Sequence, residues 1–124
     1  MPQTTPLFPR RGSVHYIQFD PAVGREIRKT RPAVVISNNH MNELAATVLV
    51  MPITGGSYDY YHWVPLKPPE AGLKKASSIV TEQIRAVDKG RVGRRIGMVS
   101  PETMARIEDA IRDHCALPEG RVLP

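Results

Sequence analysis

The sequence predicts a mainly β fold, a small antiparallel barrel that carries one C-terminal helix. Short apolar runs rich in β-branched and aromatic residues recur along the chain, and glycine or proline residues separate them. Helical periodicity is convincing in one stretch near the C-terminus. Short strands at this spacing are typical of small barrels. The 124 residues suit one domain with its own core. We therefore expect a domain at residues 11–117, a flexible arm at residues 1–10 and a tail at residues 118–124.

Three strands are predicted in the first half of the chain. Residues 14–19 form the first strand and residues 33–37 form the second. A single helical turn at residues 41–44 precedes a third, buried strand at residues 47–53. Because proline cannot donate a hydrogen bond to a neighbouring strand, Pro52 predicts an edge strand or a bulge near the end of this third strand.

The second half of the chain predicts shorter strands. Residues 62–66 form the fourth strand, after a loop that begins with two glycines. Residues 78–81 and 84–87 predict one strand with a bend between its two parts, and residues 95–99 form the last strand.

The helix is predicted at about residues 101–115. Ser100 can cap its first turn, Pro101 suits the first helical position, and Glu102 lies at the positive end of the helix dipole. Glu108 and Arg112 have the spacing of a favourable ion pair on the exposed side. The expected buried face consists of Met104, Ile107, Ile111 and Cys115.

The charge of the chain suits a polyanionic partner. Lysine and arginine number 17 against 12 aspartates and glutamates, which gives a formal net charge of +5. The cations cluster near the last strand, where one acidic residue, Asp88, accompanies Arg85, Lys89, Arg91, Arg94 and Arg95. Neutralisation of phosphates supplies much of the affinity of nucleic-acid-binding proteins. A basic surface that merely keeps the protein in solution is the alternative.

Cysteine, histidine and hydropathy exclude several classes of protein. Cys115 is the sole cysteine, so an internal disulfide and a cysteine-based zinc site are excluded. The histidines, at positions 15, 40, 62 and 114, have no ligand spacing, and nothing indicates that two of them converge as an acid–base pair. We therefore expect no metal and no cofactor. The N-terminus lacks the apolar core of a secretory signal, and the apolar runs are too short to cross a bilayer, which predicts a cytoplasmic protein.

One cation lies at the foot of a strand that must be buried. Arg31 precedes Pro32, whose fixed φ defines the approach of the chain to the strand. Residues 24–29, here called the basic loop, come directly before and carry three cations against one carboxylate. A guanidinium anchored beside such a loop is well placed to hold a phosphodiester. The alternative is a structural role for Arg31, in which its side chain ties the loop to Glu82.

Five segments follow one another in a particular order. They are Arg-Gly-Ser-Val at 11–14, Arg-Pro-Ala-Val-Val-Ile-Ser-Asn at 31–38, Met-Pro-Ile-Thr at 51–54, Thr-Glu-Gln-Ile-Arg-Ala-Val-Asp-Lys at 81–89 and Ser-Pro-Glu-Thr-Met at 100–104. Together they resemble the MazF/PemK family of toxin endoribonucleases from type II toxin–antitoxin systems, over about residues 11–117. The resemblance implies an SH3-like barrel of the CcdB/Kid/MazF kind, in agreement with the predicted strands.

The resemblance also implies an activity and partners. Members of the family usually cleave single-stranded RNA at short sequences without a metal, through attack of the 2′-hydroxyl that leaves a 2′,3′-cyclic phosphate and a 5′-hydroxyl. They act as homodimers and a cognate antitoxin neutralises them. Two alternatives stay open: a non-catalytic inhibitor such as the CcdB toxins that bind DNA gyrase, although this chain lacks their C-terminal Trp-Gly-Ile, and a plain RNA-binding module.

The family motifs assign two catalytic candidates and leave the base open. The arginine of the Arg-Pro motif falls on Arg31, and the threonine that closes the Pro-Ile-Thr motif falls on Thr54. Arg31 would stabilise charge on the phosphate, while Thr54 could instead be an ordinary turn residue. Glu26 and Glu82 are the candidate bases. Some relatives use an acidic residue at the position of Glu82 and others have a histidine where this chain has Arg25; an ion pair of Glu82 with an arginine, Arg85 or Arg31, is the alternative.

Candidate RNA-binding residues surround these positions. Side chains that suit phosphates are Arg25, Arg28, Lys29, Arg85 and Arg91. Side chains that can read base edges are Ser37, Asn38 and Gln83. A polar rim without selectivity is the alternative for both sets. The aromatic residues Tyr58, Tyr60, Tyr61 and Trp63 could stack on bases or belong to a core or dimer interface, and the sequence leaves open whether they contact RNA or the antitoxin.

Overall fold

The predicted mainly β fold is confirmed by the computed structural model, which describes residues 8–118. Seven strands and two α-helices follow one another as β1 (Ser13–Gln18), β2 (Thr30–Val35), α1 (Asn39–Leu44), β3 (Thr47–Gly55), β4 (Val64–Leu66), β5 (Ser77–Ile79), β6 (Arg85–Asp88), β7 (Val92–Met98) and α2 (Pro101–His114). The predicted arm at residues 1–10 and tail at residues 118–124 lie almost entirely outside the described residues. No helix of the described part is long and apolar enough to span a membrane.

All strand pairs are antiparallel, in the order β4-β5-β3-β2-β1-β7, with β6 paired to β3. Alternate residues along a strand point to opposite faces of the sheet, and both faces are covered. Val14, Val34 and Met51 belong to a core cluster that includes Met104 and Ile107 of α2. The other face carries a second cluster, with Ile17, Phe19, Ala33, Val35, Val48, Val50 and Val87, against which Ile27 of the basic loop packs.

Pro52 lies in the middle of the sheet, so the predicted edge or bulge is wrong. It pairs with Ala33 of β2 on one side. On its other side β3 changes partner, because residues 47–50 pair with β6 and residues 53–55 pair with β5. In the gap between these partners the Pro52 carbonyl accepts a hydrogen bond from Val80 N–H at 2.9 Å. The missing N–H of proline therefore falls where no ladder donor is needed.

Strand β2 begins three residues before its prediction, so that Arg31 and Pro32 lie inside the strand. The antiparallel register places Ile17 opposite Arg31 and Tyr16 opposite Pro32. Strand β7 likewise begins at Val92, because β1 pairs with it as far as Ile17. Tertiary pairing extends both strands across charged residues that local propensity assigns to loops.

Helix α2 matches its predicted capping but not all of its predicted faces. The Ser100 hydroxyl accepts a hydrogen bond from Thr103 N–H at 3.1 Å. Cys115 is exposed, because the helix ends at His114 and Cys115 is its C-cap residue. The expected pairing of Glu108 with Arg112 is also wrong, since the carboxylate of Glu108 binds Arg11 at 2.9 Å and Arg112 binds Asp109.

Two glycines allow the turn at residues 70–72 to pack against β7. A Cβ on Gly72, whose φ is +73°, would lie 1.8 Å from the carbonyl oxygen of Ile96. A Cβ on Gly97 would lie 2.4 Å from the carbonyl carbon of Ala71. This close approach requires glycine on both sides. It brings the following residues, Leu73 to Lys75, next to the cations of β7.

Candidate nucleic-acid interface

A basic concavity lies between the start of β2, the segment after Gly72 and strand β7. Its volume is about 630 Å³, and we call it the basic cavity. Among the described residues, five cations and no carboxylate line it: Arg31, Lys74, Lys75, Arg94 and Arg95. Apolar side chains, Tyr16, Pro32, Ile53 and Ile96, supply other parts of its wall. A concave surface with charges of one sign attracts a polyanion more strongly than isolated surface lysines do.

Arg31 lines the basic cavity, and a nearby backbone carbonyl holds its side chain. The side chain is half-buried, and its Nε donates a hydrogen bond to the Arg28 carbonyl at 3.0 Å. No acceptor among residues 8–118 lies within hydrogen-bonding distance of its two terminal nitrogens. The planar end of the guanidinium can therefore bind two oxygens of a phosphate side by side.

Thr54 lies on the strand next to Arg31. The β2–β3 register pairs Ala33 with Pro52, and its extension by two residues would place Thr54 opposite Arg31. Thr54 is half-buried and pairs with Ser78 of β5 on the other side. Its chain neighbours, Ile53 and Gly55, line the basic cavity. The two residues that the family motifs single out thus occupy adjacent strands, where Arg31 lines the basic cavity and Thr54 lies between two residues that line it.

The two candidate bases lie in a different cavity. This cavity, the loop cavity, has a volume of about 220 Å³ and lies beneath the basic loop. It is lined by Phe19, Glu26, Ile27, Pro52, Glu82, Gln83, Ile84 and Arg85. Within the described part of the chain, Glu26 and Glu82 therefore share a cavity with Arg85 but not with Arg31.

Glu82 binds a tryptophan instead of an arginine. Both of its carboxylate oxygens lie 2.9 Å from Nε1 of Trp63, which donates one N–H to the pair. The ion pair with Arg85 or Arg31, the alternative to a catalytic role for Glu82, is absent from the described residues. Arg85 instead lies over the ring of Phe19, 5.7 Å from its centroid. The other carboxylate, Glu26, accepts a hydrogen bond from Val23 N–H at 2.6 Å inside its own loop.

Gln83 holds the basic loop. Its side-chain oxygen accepts a hydrogen bond from Ile27 N–H at 2.8 Å, and its side-chain nitrogen donates to the Arg25 carbonyl at 3.4 Å. Arg25, Arg28 and Lys29 are exposed on this loop. The terminal nitrogen of Arg28 donates to the Gly24 carbonyl at 3.1 Å.

Three of the predicted RNA-binding residues have roles in the fold. Ser37 is 5% exposed, and its hydroxyl binds Asn42 and accepts a hydrogen bond from Leu49 N–H at 3.0 Å, so it has little surface to offer a base. Asn38 caps α1 by accepting a hydrogen bond from Met41 N–H at 2.8 Å. Arg91 donates to the carbonyls of Gln18, at 3.2 Å, and Asp20, at 2.5 Å.

The aromatic residues form one surface cluster in residues 57–63, here called the aromatic loop. Tyr58 and Tyr60 stack with centroids 5.5 Å apart, and Tyr60 meets Trp63 edge to face at 4.6 Å. A cavity of about 470 Å³ is lined by Tyr60, Tyr61, Trp63, Glu82 and His114. The three tyrosines are 46–70% exposed, so they do not belong to the core of this chain.

Two histidines converge, contrary to the sequence prediction. The rings of His62 and His114 lie 5.5 Å apart between centroids, although 52 positions separate them in the chain. Nε2 of His62 lies 3.2 Å from a carboxylate oxygen of Asp113, and His114 Nε2 lies 2.9 Å from the Thr81 hydroxyl. Neither ring lines the basic cavity of the described structure.

Comparison with known proteins identifies the family of this chain. Residues 10–115 match the model of the PemK-like, MazF-like toxins of type II toxin–antitoxin systems. The chain belongs to the PemK/MazF-like toxin family.

Named relatives of this MazF-family chain are endoribonucleases. It is 34% identical over 114 residues to Endoribonuclease MazF9 of Mycobacterium tuberculosis, covering 87% of this chain and 97% of the relative. It is 34% identical over 104 residues to Endoribonuclease MazF of Staphylococcus saprophyticus, covering 82% and 87%. A solved mycobacterial endoribonuclease in complex with its cognate antitoxin has the same fold, with a TM-score of 0.72 and 24% identity over 92% of this chain and 99% of that chain.

Sequence reasoning did not assign four cations of the MazF-family chain to the site. Arg94 and Arg95 were part of the basic cluster near the last strand, and Lys74 and Lys75 follow a Gly-Leu pair in a predicted loop. Their charge was visible in the sequence. Their meeting with Arg31 depends on the contact of Gly72 with β7, which no local pattern indicates.

Proposed function

We propose that this chain is an endoribonuclease that cleaves single-stranded RNA and that a cognate antitoxin neutralises it. The observation that carries the proposal is the end of the Arg31 guanidinium, which faces a cavity lined by four further cations. The 34% identity to two MazF endoribonucleases supports the same reaction class. A metal-independent reaction fits these residues, because guanidinium and ammonium groups can neutralise the phosphate without a bound ion.

In the proposed reaction the 2′-oxygen of the RNA attacks the adjacent phosphorus. The 2′-hydroxyl gives its proton to a carboxylate base, the bond from phosphorus to the 5′-oxygen breaks, and the departing 5′-oxygen takes a proton from solvent water. The products are a 2′,3′-cyclic phosphate and a 5′-hydroxyl. Negative charge grows on the non-bridging oxygens during the attack, so a donor fixed at that point lowers the barrier.

Arg31 and Thr54 supply such donors. The terminal nitrogens of Arg31 would bind the non-bridging oxygens, and the Thr54 hydroxyl would donate a second hydrogen bond to the same phosphate. Arg31 acts through its charge and not as a proton donor, because a guanidinium keeps its proton at any pH a protein survives. The strand pairing of β1, β2 and β3 fixes both backbones before RNA arrives, which is the preorganisation that this kind of catalysis requires.

The base must reach the 2′-hydroxyl from the loop cavity. Glu82 and Glu26 line that cavity and not the basic cavity, so an RNA strand must cross from one cavity to the other for either carboxylate to accept the proton. Of the two, Glu82 has the more fixed position, because Trp63 binds its carboxylate. We propose Glu82 as the base. Glu82→Gln should then lower kcat by about a hundredfold, while Glu26→Gln should leave kcat within a few-fold of the parent.

The proposal includes a homodimer in the cytoplasm and a masked site in the toxin–antitoxin complex. A shallow cavity on one small chain becomes a longer groove when two copies combine. An acidic antitoxin segment that folds on binding would compete with RNA for the five cations of the basic cavity. Sedimentation of the purified chain at micromolar concentration checks the dimer, and a single monomer boundary would contradict it.

The deciding experiment is RNA cleavage in EDTA. The purified chain, free of antitoxin, is incubated with mixed-sequence RNA and excess EDTA, and the fragment ends are identified. We expect 5′-hydroxyl ends at a restricted set of sequences. Arg31→Ala should remove the activity, and Arg31→Lys, which keeps the charge without the planar fork, serves as the matched control and should restore only a small part of it. Intact RNA with the parent protein, or equal cleavage by Arg31→Ala, would overturn the proposal.

A further inference from the structure

We propose that Gln83 is a positioning residue that holds the basic loop, and through it Arg31, for the RNA. This inference rests on the proposed function and replaces the base-reading role that the sequence suggested for Gln83. Its side-chain oxygen accepts a hydrogen bond from Ile27 N–H at 2.8 Å, and its side-chain nitrogen donates one to the Arg25 carbonyl at 3.4 Å. One amide therefore bridges two backbone groups of the loop.

The basic loop has few other attachments. At the end of the loop, the Lys29 carbonyl accepts a hydrogen bond from Phe19 N–H at 2.8 Å. Within residues 8–118, Gln83 makes the only hydrogen bonds that join residues 21–27 to a segment outside them, since the remaining bonds connect Val23 with Glu26 and Gly24 with Arg28. The half-buried Ile27 adds packing against the second core cluster. Three like charges on a short loop repel one another, so the loop gains much of its order from Gln83.

A short path of contacts leads from Gln83 to the catalytic arginine. Gln83 fixes the N–H of Ile27, and the carbonyl of the next residue, Arg28, accepts the hydrogen bond from Nε of Arg31 at 3.0 Å. The orientation of the Arg31 guanidinium thus depends on a backbone segment that Gln83 holds. Gln83 acts on the phosphate through this segment and does not touch the reacting atoms.

The anchor itself is rigid. Gln83 ends a 3-10 turn, Thr81–Gln83, whose other side chains bind different parts of the fold. Thr81 is fully buried and its hydroxyl contacts the His62 carbonyl at 3.0 Å and His114 Nε2 at 2.9 Å. Glu82 binds Trp63 at 2.9 Å. A turn fixed at two successive residues can hold a mobile neighbour with the third.

Base reading and loop holding compete for the same atoms. A Gln83 amide that turned to a base edge would release the N–H of the half-buried Ile27, and a polar group left without a partner there is costly. A positioning residue should affect all RNA sequences alike, whereas a base-reading residue should change which sequence is cut.

The test compares Gln83→Ala with Gln83→Glu. The glutamate variant keeps an acceptor for Ile27 N–H and loses the donor to Arg25, so it is a partial rescue. We expect Gln83→Ala to raise KM about fivefold to tenfold and to lower kcat by a similar factor, because Arg31 loses its fixed orientation. The cleaved sequence should stay unchanged, and KM should become less sensitive to salt because the loop cations are no longer held at the phosphates. Gln83→Glu should lie between the parent and Gln83→Ala.

Hydrogen exchange at the Ile27 amide gives a readout that needs no RNA. We expect exchange at Ile27 to speed up at least tenfold in Gln83→Ala and to stay near the parent rate in Gln83→Glu, while amides of the β3 core keep their protection in both. Unchanged exchange at Ile27, or a new cleavage sequence in Gln83→Ala, would overturn the positioning role. Because exchange is measured without substrate, this test does not depend on cleavage. A parent protein that fails to cleave RNA would contradict the proposed function, and the exchange result would still show whether Gln83 holds the loop.

Discussion

The basic loop and the aromatic loop both bind side chains of the short turn Thr81–Gln83, yet different numbers of contacts hold them. The aromatic loop receives Thr81 and Glu82 from the turn, and α2 adds Asp113, which binds both Tyr61 and His62. The basic loop is held by Gln83 and, at its end, by the hydrogen bond from Phe19 N–H to the Lys29 carbonyl. The loop with more side-chain anchors contacts the carboxylates of Glu82 and Asp113, and the loop with fewer carries the cations. The difference indicates that the basic loop is the part built to adapt to a ligand.

Electrostatics supports the same division. Among the described residues, five cations line the basic cavity, whereas Glu82 and His114 join the aromatic side chains around the cavity of about 470 Å³ at the aromatic loop. The phosphates of an RNA backbone are therefore attracted by the cations of the first region and repelled by the carboxylate of Glu82 in the second. The substitutions below either break this contrast or define it more closely.

Removal of the Arg31 guanidinium should have the largest effect. The loss of one preorganised donor to a developing oxyanion costs about 100-fold to 1000-fold in rate, so Arg31→Ala should lower kcat by that factor. RNA affinity should fall much less, because four other cations remain in the cavity. Single-turnover cleavage together with filter binding separates the two quantities. A fall in affinity as large as the fall in kcat would show that Arg31 only binds RNA.

The cations that sequence reasoning missed should control affinity. Combined Lys74→Ala and Lys75→Ala should raise KM about tenfold, and the dependence of log KM on log salt should become shallower by about 1 for each phosphate contact removed. The matched control is Lys67→Ala, because this exposed lysine lies outside the basic cavity of the described structure. An equal effect of Lys67→Ala would mean that net charge, and not the cavity, attracts RNA.

Thr54→Val tests the weaker of the two proposed catalytic donors. Valine keeps the shape of the side chain and removes the hydroxyl, so kcat should fall about tenfold, the equivalent of one hydrogen bond of roughly 1.4 kcal/mol. Strand β3 should stay intact because valine suits a half-buried strand position. If kcat and the fold are both unchanged in Thr54→Val, Thr54 has no catalytic role and is an ordinary structural residue.

The sequence predicted the parts of the site that depend on local patterns. Arg31 and Thr54 could be assigned as catalytic candidates because each belongs to a short family motif on a strand of the sheet. Lys74 and Lys75 were missed because their place in the cavity depends on Gly72 and β7, which are distant in the chain. An arginine partner for Glu82 was the alternative that the sequence left open, but Trp63 binds this carboxylate across the fold and Arg85 lies over Phe19.

Trp63→Phe should separate stability from catalysis in the aromatic loop. Phenylalanine keeps the edge-to-face contact with Tyr60 and removes the N–H that binds Glu82. We expect the free energy of unfolding to fall by about 1 kcal/mol, since the hydrogen bond has a charged acceptor but is exposed to water. If Glu82 is the base, kcat should also fall a few-fold as its carboxylate loses its fixed position. Gln83→Ala, in contrast, should leave the contact between Trp63 and Glu82 in place and change KM as well as kcat, because it releases the basic loop.

The smallest expected effect is a pH dependence that comes from behind the basic cavity. Burial lowers the pKa of His15 from its ordinary 6.5, although the Gly93 carbonyl opposes the shift, and the positive charge of Arg95 lowers the pKa further. The unfolded chain therefore binds a proton at His15 more readily than the folded chain, so the free energy of unfolding should decrease as pH falls below about 6.5. His15→Gln should flatten this slope between pH 7 and 5 in urea titrations. His40→Gln, a change at an exposed histidine, should leave the slope as it is. If the free energy of unfolding still decreases with falling pH in His15→Gln, other groups cause the acid sensitivity. The burial of neutral His15 would then have no measurable effect on stability.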